Sequence, residues 1–221
     1  MFFETAKSIL LIVSALFPLV NPIGGSPIFL LLTQEYSTQE RKLLARSVAI
    51  NSFILLIVSV LVGTHILSFF GISLPVVQVG GGLIVISTGW SMLTRSDPSA
   101  GADRGHMHQA VDPQEIFKKA FYPLTLPLTV GPGSISIAIT LGANEPRHLG
   151  TNLLAILSAA IGSLLIAASV YVCYAYADRL AAALGPNGMN VILRLSAFLL
   201  VCIGVQILWN GLSALIRSLH V

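Results

Sequence analysis

Charged residues are scarce in this chain. Only 10% of its 221 residues are Asp, Glu, Lys or Arg and 55% are hydrophobic, whereas a soluble domain carries about 25% charged residues. With a mean hydropathy of +0.86, most of the chain must face lipid or other apolar helices. The net charge of +3 is small and scattered, which excludes a nucleic-acid partner. Cysteine is nearly absent too. Cys173 and Cys202 lie in separate apolar runs with no Cys-x-x-Cys, so both read as structural thiols and a thiol–disulfide electron carrier is excluded. Acidic residues are missing from the centre of every apolar run, the nearest being Asp178 at the end of one. That argues against a carboxylate proton relay and against an acidic pocket for organic cations. It also leaves no residue set for a membrane hydrolase, so no enzyme activity and no bound metal are expected.

What is present is a series of long apolar runs. A membrane span needs about 20 mostly apolar residues. Six stretches qualify: Ser8–Leu32, Leu43–Leu67, Leu74–Leu93, Phe121–Leu141, Leu149–Ala175 and Val191–Ile216. The N-terminal run has no convincing small-residue cleavage site and is taken as the first span rather than a signal peptide. The longest polar segment, Thr94–Lys119, joins the third span to the fourth. The organisation expected is residues 1–93 as one three-span unit, 94–119 as a connector, and 120–221 as a second three-span unit. His106 and His108 stand in the connector near Asp103 and Asp112 and read as a solvated loop.

Lysine and arginine set the orientation. The first, third and fifth loops carry Arg41, Lys42, Arg46, Arg95, Arg104, Lys118, Lys119 and Arg179, eight in all, against Lys7, Arg147 and Arg217 on the other side. Basic residues favour the cytoplasm, so both termini are expected outside.

Six of the eleven prolines fall in two matching boxes. The first reads Phe17-Pro18-Leu19-Val20-Asn21-Pro22-Ile23-Gly24-Gly25-Ser26-Pro27. The second reads Tyr122-Pro123-Leu124-Thr125-Leu126-Pro127-Leu128-Thr129-Val130-Gly131-Pro132. An aromatic residue opens each, and the prolines follow at spacings of four and five. Internal duplication accounts for this. A unit with an odd number of spans reinserts upside down when duplicated, which predicts an all-α membrane protein of six helices in two inverted three-helix repeats.

Each proline removes a backbone donor and clashes with the carbonyl one turn back. The boxes are therefore expected to break the first and fourth helices within the membrane. Such backbone is tolerated only where protein buries it or it lines a cavity. Ser26 is expected to cap the restarted helix with Pro27 at its first position, and Gly131 with Pro132 to do the same in the second box. Free N–H groups at such a helix start suit a carboxylate, and carbonyls released by proline suit a cation or ammonium group. The candidate solute site is Asn21, Pro22, Gly24, Gly25 and Ser26 with Thr125, Pro127, Thr129, Gly131, Gly133 and Ser134. The plainer alternative is a pair of kinked helices packed through glycine.

Supporting or gating roles are expected for Asn51, Gln78, Arg194, Gln206 and Asn210. Arg194 either snorkels to the cytoplasmic face or bonds a broken-helix carbonyl, or else it enters the transport path. Gln206 and Asn210, one turn apart, could bond across helices. Gly80-Gly81-Gly82 and Gly89 suit close helix contact.

These residues resemble the MarC family. The resemblance rests on Asn21-Pro22-Ile23-Gly24, Pro127-Leu128 followed by Gly131-Pro132-Gly133, and Phe70-Gly71-Ile72-Ser73 with Gly81-Gly82. Arg194 with Leu199-Leu200-Val201 and Gly204-Val205-Gln206 completes it, covering nearly the whole chain. The resemblance implies a six-span protein of the bacterial inner membrane, close to the LysE-type exporters. It also implies transport of small neutral amino acids such as glycine and alanine. Members often have Arg where this chain has Gln78, which weakens any role carried over to that position. The function expected is secondary transport of a small neutral solute by alternating access, with no cofactor and with Na+ or H+ as the coupling ion. Without embedded carboxylates, sodium held by carbonyls and hydroxyls is the better fit. Membrane lipid and the solute are the expected partners, and a homo-oligomer is left open. A channel, a non-transporting scaffold, or an exporter of drugs or other metabolites are the competing readings.

Overall fold

The structure is a computed structural model that describes residues 2–94, 117–144 and 152–218. The connector histidines lie outside these residues. The described residues form helices only: α1 (Phe2–Val20), α2 (Pro22–Leu32), α3 (Thr38–Phe69), α4 (Leu74–Thr94), α5 (Ala120–Thr129), α6 (Pro132–Asn144), α7 (Asn152–Ala175) and α8 (Ala177–Ser218). Five spans are long and apolar enough to cross a bilayer, and the bent pair α5–α6 makes a sixth. Their large apolar side chains stand exposed, Leu10 at 68% and Trp209 at 62% among them, as a lipid-facing surface requires.

The first proline box interrupts its helix at one residue only. Asn21 adopts the left-handed conformation (φ 46°, ψ 57°) between α1 and α2, yet Thr5–Leu32 still runs on as one 28-residue span. The ladder explains this. Asn21 N donates to Phe17 O at 2.8 Å and Gly25 N donates to Asn21 O at 2.8 Å, so the backbone ladder holds on either side of the break. The cap also differs from expectation. Asn21, not Ser26, caps α2: its side chain accepts from Gly24 N at 3.1 Å, and Pro22 takes the first helical position. Asn tolerates the left-handed region better than most residues, and its short carboxamide reaches N3.

The second box deforms more. Tyr122 (φ −127°, ψ 124°) and Leu126 (φ −106°, ψ 126°) are extended, as residues before proline prefer. Between them the turns widen to i→i+5 bonds, with Val130 N donating to Thr125 O at 2.9 Å. Thr125 Oγ1 donates to Ala120 O and Thr129 Oγ1 to Leu124 O, each at 2.7 Å. The threonine hydroxyls thus satisfy two carbonyls, Ala120 O and Leu124 O, within the widened turns. The chain bends by 71° between α5 and α6, and α6 starts at Pro132 as the sequence suggests.

The remaining helices frame these segments. α3 opens on a capping box, Ser37 Oγ accepting from Glu40 N and Ser37 N donating to Glu40 Oε2. Its 32 residues span about 48 Å, more than the roughly 30 Å of hydrocarbon, so its polar first turns project beyond it. α8 begins directly after Tyr176, but Gly185 (φ 65°, ψ 175°) is non-helical and divides it, and the apolar span beyond runs Asn187–Ser218, close to the expected start at Val191.

α4 and α8 pack backbone to backbone. A Cβ on Gly82 would lie 2.6 Å from Leu208 N, one on Gly204 2.7 Å from Ile86 N, and one on Gly89 2.8 Å from Ala197 O. Contacts that fall along α8 as they rise along α4 mean that the two run in opposite directions. Gly81 packs on Ser136 of α6, whereas Gly80 meets nothing within 4 Å. α3 packs on α5, α6 and α7; α7 packs on α1 and α2; α4 packs on α6, and α2 on α8. The larger core lies among α1, α2, α3, α5 and α7, around Leu16, Phe29, Leu44, Leu56 and Ile166.

Candidate functional site

A cavity of about 510 Å³ lies between the two proline boxes. From the first it is lined by Asn21 and Gly25, and from the second by Pro127, Thr129, Gly131, Gly133 and Ser134. Seven of the eleven expected site residues therefore meet around one space. None of the lining side chains is ionisable. The cavity continues past Leu31 and Leu32 at the end of α2, Ser91 and Met92 near the end of α4, and Pro123 at the start of α5. Those three helix ends lead into the first loop and the connector, so the cavity runs toward that membrane face. α2 has 11 residues and covers about 16 Å, which puts Asn21 about half-way through a 30 Å core. On the far side of the breaks α6 closes against α3 and α4. There Gly63 faces Ile139, Ser136 Oγ donates to Val77 O at 3.0 Å, and Gln78 Nε2 donates to Thr140 Oγ1 at 3.4 Å.

The polar groups at the cavity are partly committed. Asn21 Oδ1 accepts from Gly24 N, and the carboxamide NH₂ has no protein partner among the described residues. Ser134 Oγ donates to Gly131 O at 3.0 Å and keeps its acceptor lone pairs. Thr129 spends its proton on Leu124 O, so in its 2.9 Å contact with Tyr174 Oη the tyrosine donates.

Tyr174 ties the boxes together, and nothing in the sequence reading singled it out. It is 1% exposed, stacks on Phe29 with ring centroids 4.5 Å apart, and holds Thr129 of the second box. Gly25 of the first box lies against its hydroxyl: a Cβ there would sit 2.6 Å from Tyr174 Oη. The available signal was a tyrosine within an apolar span, whose buried hydroxyl must find a partner. The partner's identity was not readable. Val85, Thr88 and Leu200 also line the cavity, and the sequence reading assigned none of them.

Four expected site residues stand behind the cavity wall. Pro22 is buried. Gly24 packs α2 on α8, where a Cβ would lie 2.7 Å from Ser196 Oγ. Ser26 is fully buried and donates to Cys173 O at 3.0 Å, joining α2 to α7. Thr125 is fully buried on Ala120 O. Among the supporting residues, Gln78 bonds Thr140 beside the closed side, and Asn51 is half-buried on α3 outside the lining. Arg194 is exposed and lies outside the cavity. Gln206 Nε2 donates to Asn210 Oδ1 at 2.9 Å along α8, and both are exposed. They bond each other one turn apart rather than across helices.

The described residues contain no group of three or more His, Cys, Asp or Glu placed to hold a metal. What the cavity offers is amide, hydroxyl and main-chain groups within apolar walls, which suits a neutral solute or a zwitterion.

Residues 6–216 match the family model described as MarC family integral membrane protein. Among similar proteins, the UPF0056 inner membrane protein MarC of Salmonella typhimurium is 32% identical over 219 residues, covering 97% of this chain and 98% of the relative. A UPF0056 membrane protein of Methanocaldococcus jannaschii is 32% identical over 199 residues, covering 90% and 93%. The UPF0056 membrane protein YvbG of Bacillus subtilis is 30% identical over 201 residues, covering 91% and 92%. No solved structure matches the chain. The apolar spans, the paired proline boxes and these relatives agree, and the chain belongs to the MarC family of multi-pass integral membrane proteins.

Proposed function

We propose that the chain is a secondary transporter of a small neutral solute, with small neutral amino acids of the glycine and alanine type as the substrate class. The observation that carries this reading is the cavity between the boxes, which has no ionisable lining and reaches toward one membrane face. A zwitterion needs equal provision for both charges. Asn21 and the N–H groups at the start of α6 would take the carboxylate, and carbonyls left without a donor by proline would take the ammonium group. With no carboxylate at the site, the coupling ion would be sodium held by carbonyls and hydroxyls rather than a relayed proton.

The two halves are read as inverted repeats of residues 1–93 and 120–221. Exchanging the first three spans for the last three keeps the main packing pairs: α1–α7 exchanges with α3–α5, and α2–α8 with α4–α6. The antiparallel run of α4 against α8 supports inversion, since a parallel repeat would make them parallel. Alternating access would rock the halves about the boxes. The closed side, where α6 packs on α3 and α4, would be the gate that opens. We place the protein in the bacterial inner membrane, as the names of its Salmonella relatives have it, with both termini outside by the positive-inside rule.

Cavity size favours one competing reading. About 510 Å³ lies within the range of drug-sized ligand sites, so export of a larger apolar metabolite is the alternative. Proteoliposomes separate the two. Saturable uptake of labelled glycine or alanine under a sodium gradient, weaker under a proton gradient alone, is expected. Absence of saturable transport of any small amino acid, with efflux of larger apolar solutes, would reverse the order. Conductance without saturation would identify a channel instead.

A further inference from the structure

We propose that the groove between α3 and α7 is a binding site for one anionic phospholipid, its phosphate at Arg46 and an acyl chain along the apolar floor below. The groove is about 530 Å³ and is separate from the cavity between the proline boxes. Arg46 and Tyr171 line one end, and Phe53 and Leu164 the other. Ala49 and Ala167 form its buried floor. No carboxylate and no amide side chain lines it, so below the arginine only hydrocarbon is at home. From Arg46 to Phe53 the helix rises about 10 Å, a depth that the upper part of an acyl chain would fill.

Charge selects the headgroup. Two cations at this end of the molecule have acidic partners: Arg41 pairs with Asp178, and Lys119 with Glu35 at 2.6 Å. Arg46 has no ion pair among the described residues. One turn earlier, Lys42 lies 5.8 Å from the ring of Tyr176, and the Arg179 guanidinium lies 5.3 Å from the same ring. Three cations thus gather where α3 and α7 meet the polar layer. No described carboxylate pairs with any of the three. A phosphodiester supplies that charge at the required depth, and basic pockets between spans on this side suit anionic lipids. A free inorganic anion would satisfy the cations and leave the floor empty.

The test is lipid retention by the purified full chain in mild detergent, read by native mass spectrometry after adding phosphatidylglycerol or phosphatidylcholine. Both lipids carry the phosphate, but the choline cation of phosphatidylcholine cancels its charge beside the cation cluster, so wild type is expected to keep phosphatidylglycerol about five-fold better, the effect of about one unit charge near the surface. Arg46→Gln should lower the preference at least two-fold while Lys42 and Arg179 keep part of it, and Arg46→Lys should keep most of it. Ala168→Trp, which narrows the groove without touching the cations, should lower retention of both. Four results would each overturn the proposal. They are equal retention in wild type, an unchanged preference in Arg46→Gln, competition by glycerol phosphate as strong as by intact lipid, and an Ala168→Cys crosslink showing a second copy seated in the groove.

Discussion

The Gly25–Tyr174–Thr129 contact makes a sharp prediction because the same hydroxyl is a partner to one box and an obstacle to the other. In Gly25→Ala the new methyl would sit 2.6 Å from Tyr174 Oη, while the ring atoms behind it stand 3.4 and 3.5 Å away, near ordinary contact. Overpacking of this kind costs about 1–3 kcal/mol, since the phenol is wedged by its stack on Phe29. Tyr174→Phe removes one hydrogen bond to Thr129, about 0.6 kcal/mol for a bond within a membrane protein, and keeps the stack. In the double variant the methyl has no oxygen to strike. The two changes should therefore not add. At about 2–4 °C per kcal/mol for a chain of this size, Gly25→Ala should lower the melting temperature in detergent by about 2–12 °C. Tyr174→Phe should lower it by about 1–3 °C, and the double variant should match Tyr174→Phe alone. A double variant that melts at or below the sum of the single losses would refute the placement of Tyr174 between the boxes.

Three further outcomes follow from the geometry. Asn21→Gly should hold the left-handed residue and melt within about 1–2 °C of wild type, because glycine is a tolerable cap, while solute binding measured with labelled alanine falls at least ten-fold. Thr125→Val should cost about 1 kcal/mol by leaving Ala120 O without its side-chain donor. Thr125→Ser should recover most of that, with solute affinity little changed in both because Thr125 lies behind the wall. In sealed vesicles of known sidedness, Thr88→Cys and Ser91→Cys, exposed along the cavity, should react with an impermeant maleimide from the connector side only; labelling from the opposite side alone would invert the assigned opening.

Substitutions at the α4–α8 crossing should behave differently from those at the boxes. Gly82 and Gly204 face main-chain atoms, which cannot rotate away as a side-chain tip can. Packing of this kind holds spans together where lipid gives no hydrophobic drive for association.

The spans were legible because hydropathy is a property of the residue and the bilayer sets a fixed length. Six apolar runs with basic loops between them can be read without knowing what touches what. The proline boxes were legible for the same reason: a missing N–H is covalent, so a disturbance at Asn21–Pro22 and at Leu126–Pro127 follows from composition alone. How each box responds was not. The first box restarted its helix at once on one left-handed asparagine cap, while the second widened its turns, with two threonine hydroxyls on its carbonyls, and the balance lies in which donors the neighbouring turns could supply. Ser26 looked like a cap and became a cross-helix donor because Cys173 O happened to lie opposite. Tyr174 was one tyrosine in an apolar run until α7 packed against α2 and α5. Sequence alone determined where the chain crosses the membrane and where its backbone gives up donors. Only tertiary packing decided which groups meet across the helices, because partners come from segments far apart in the chain and their choice depends on how closely backbones approach.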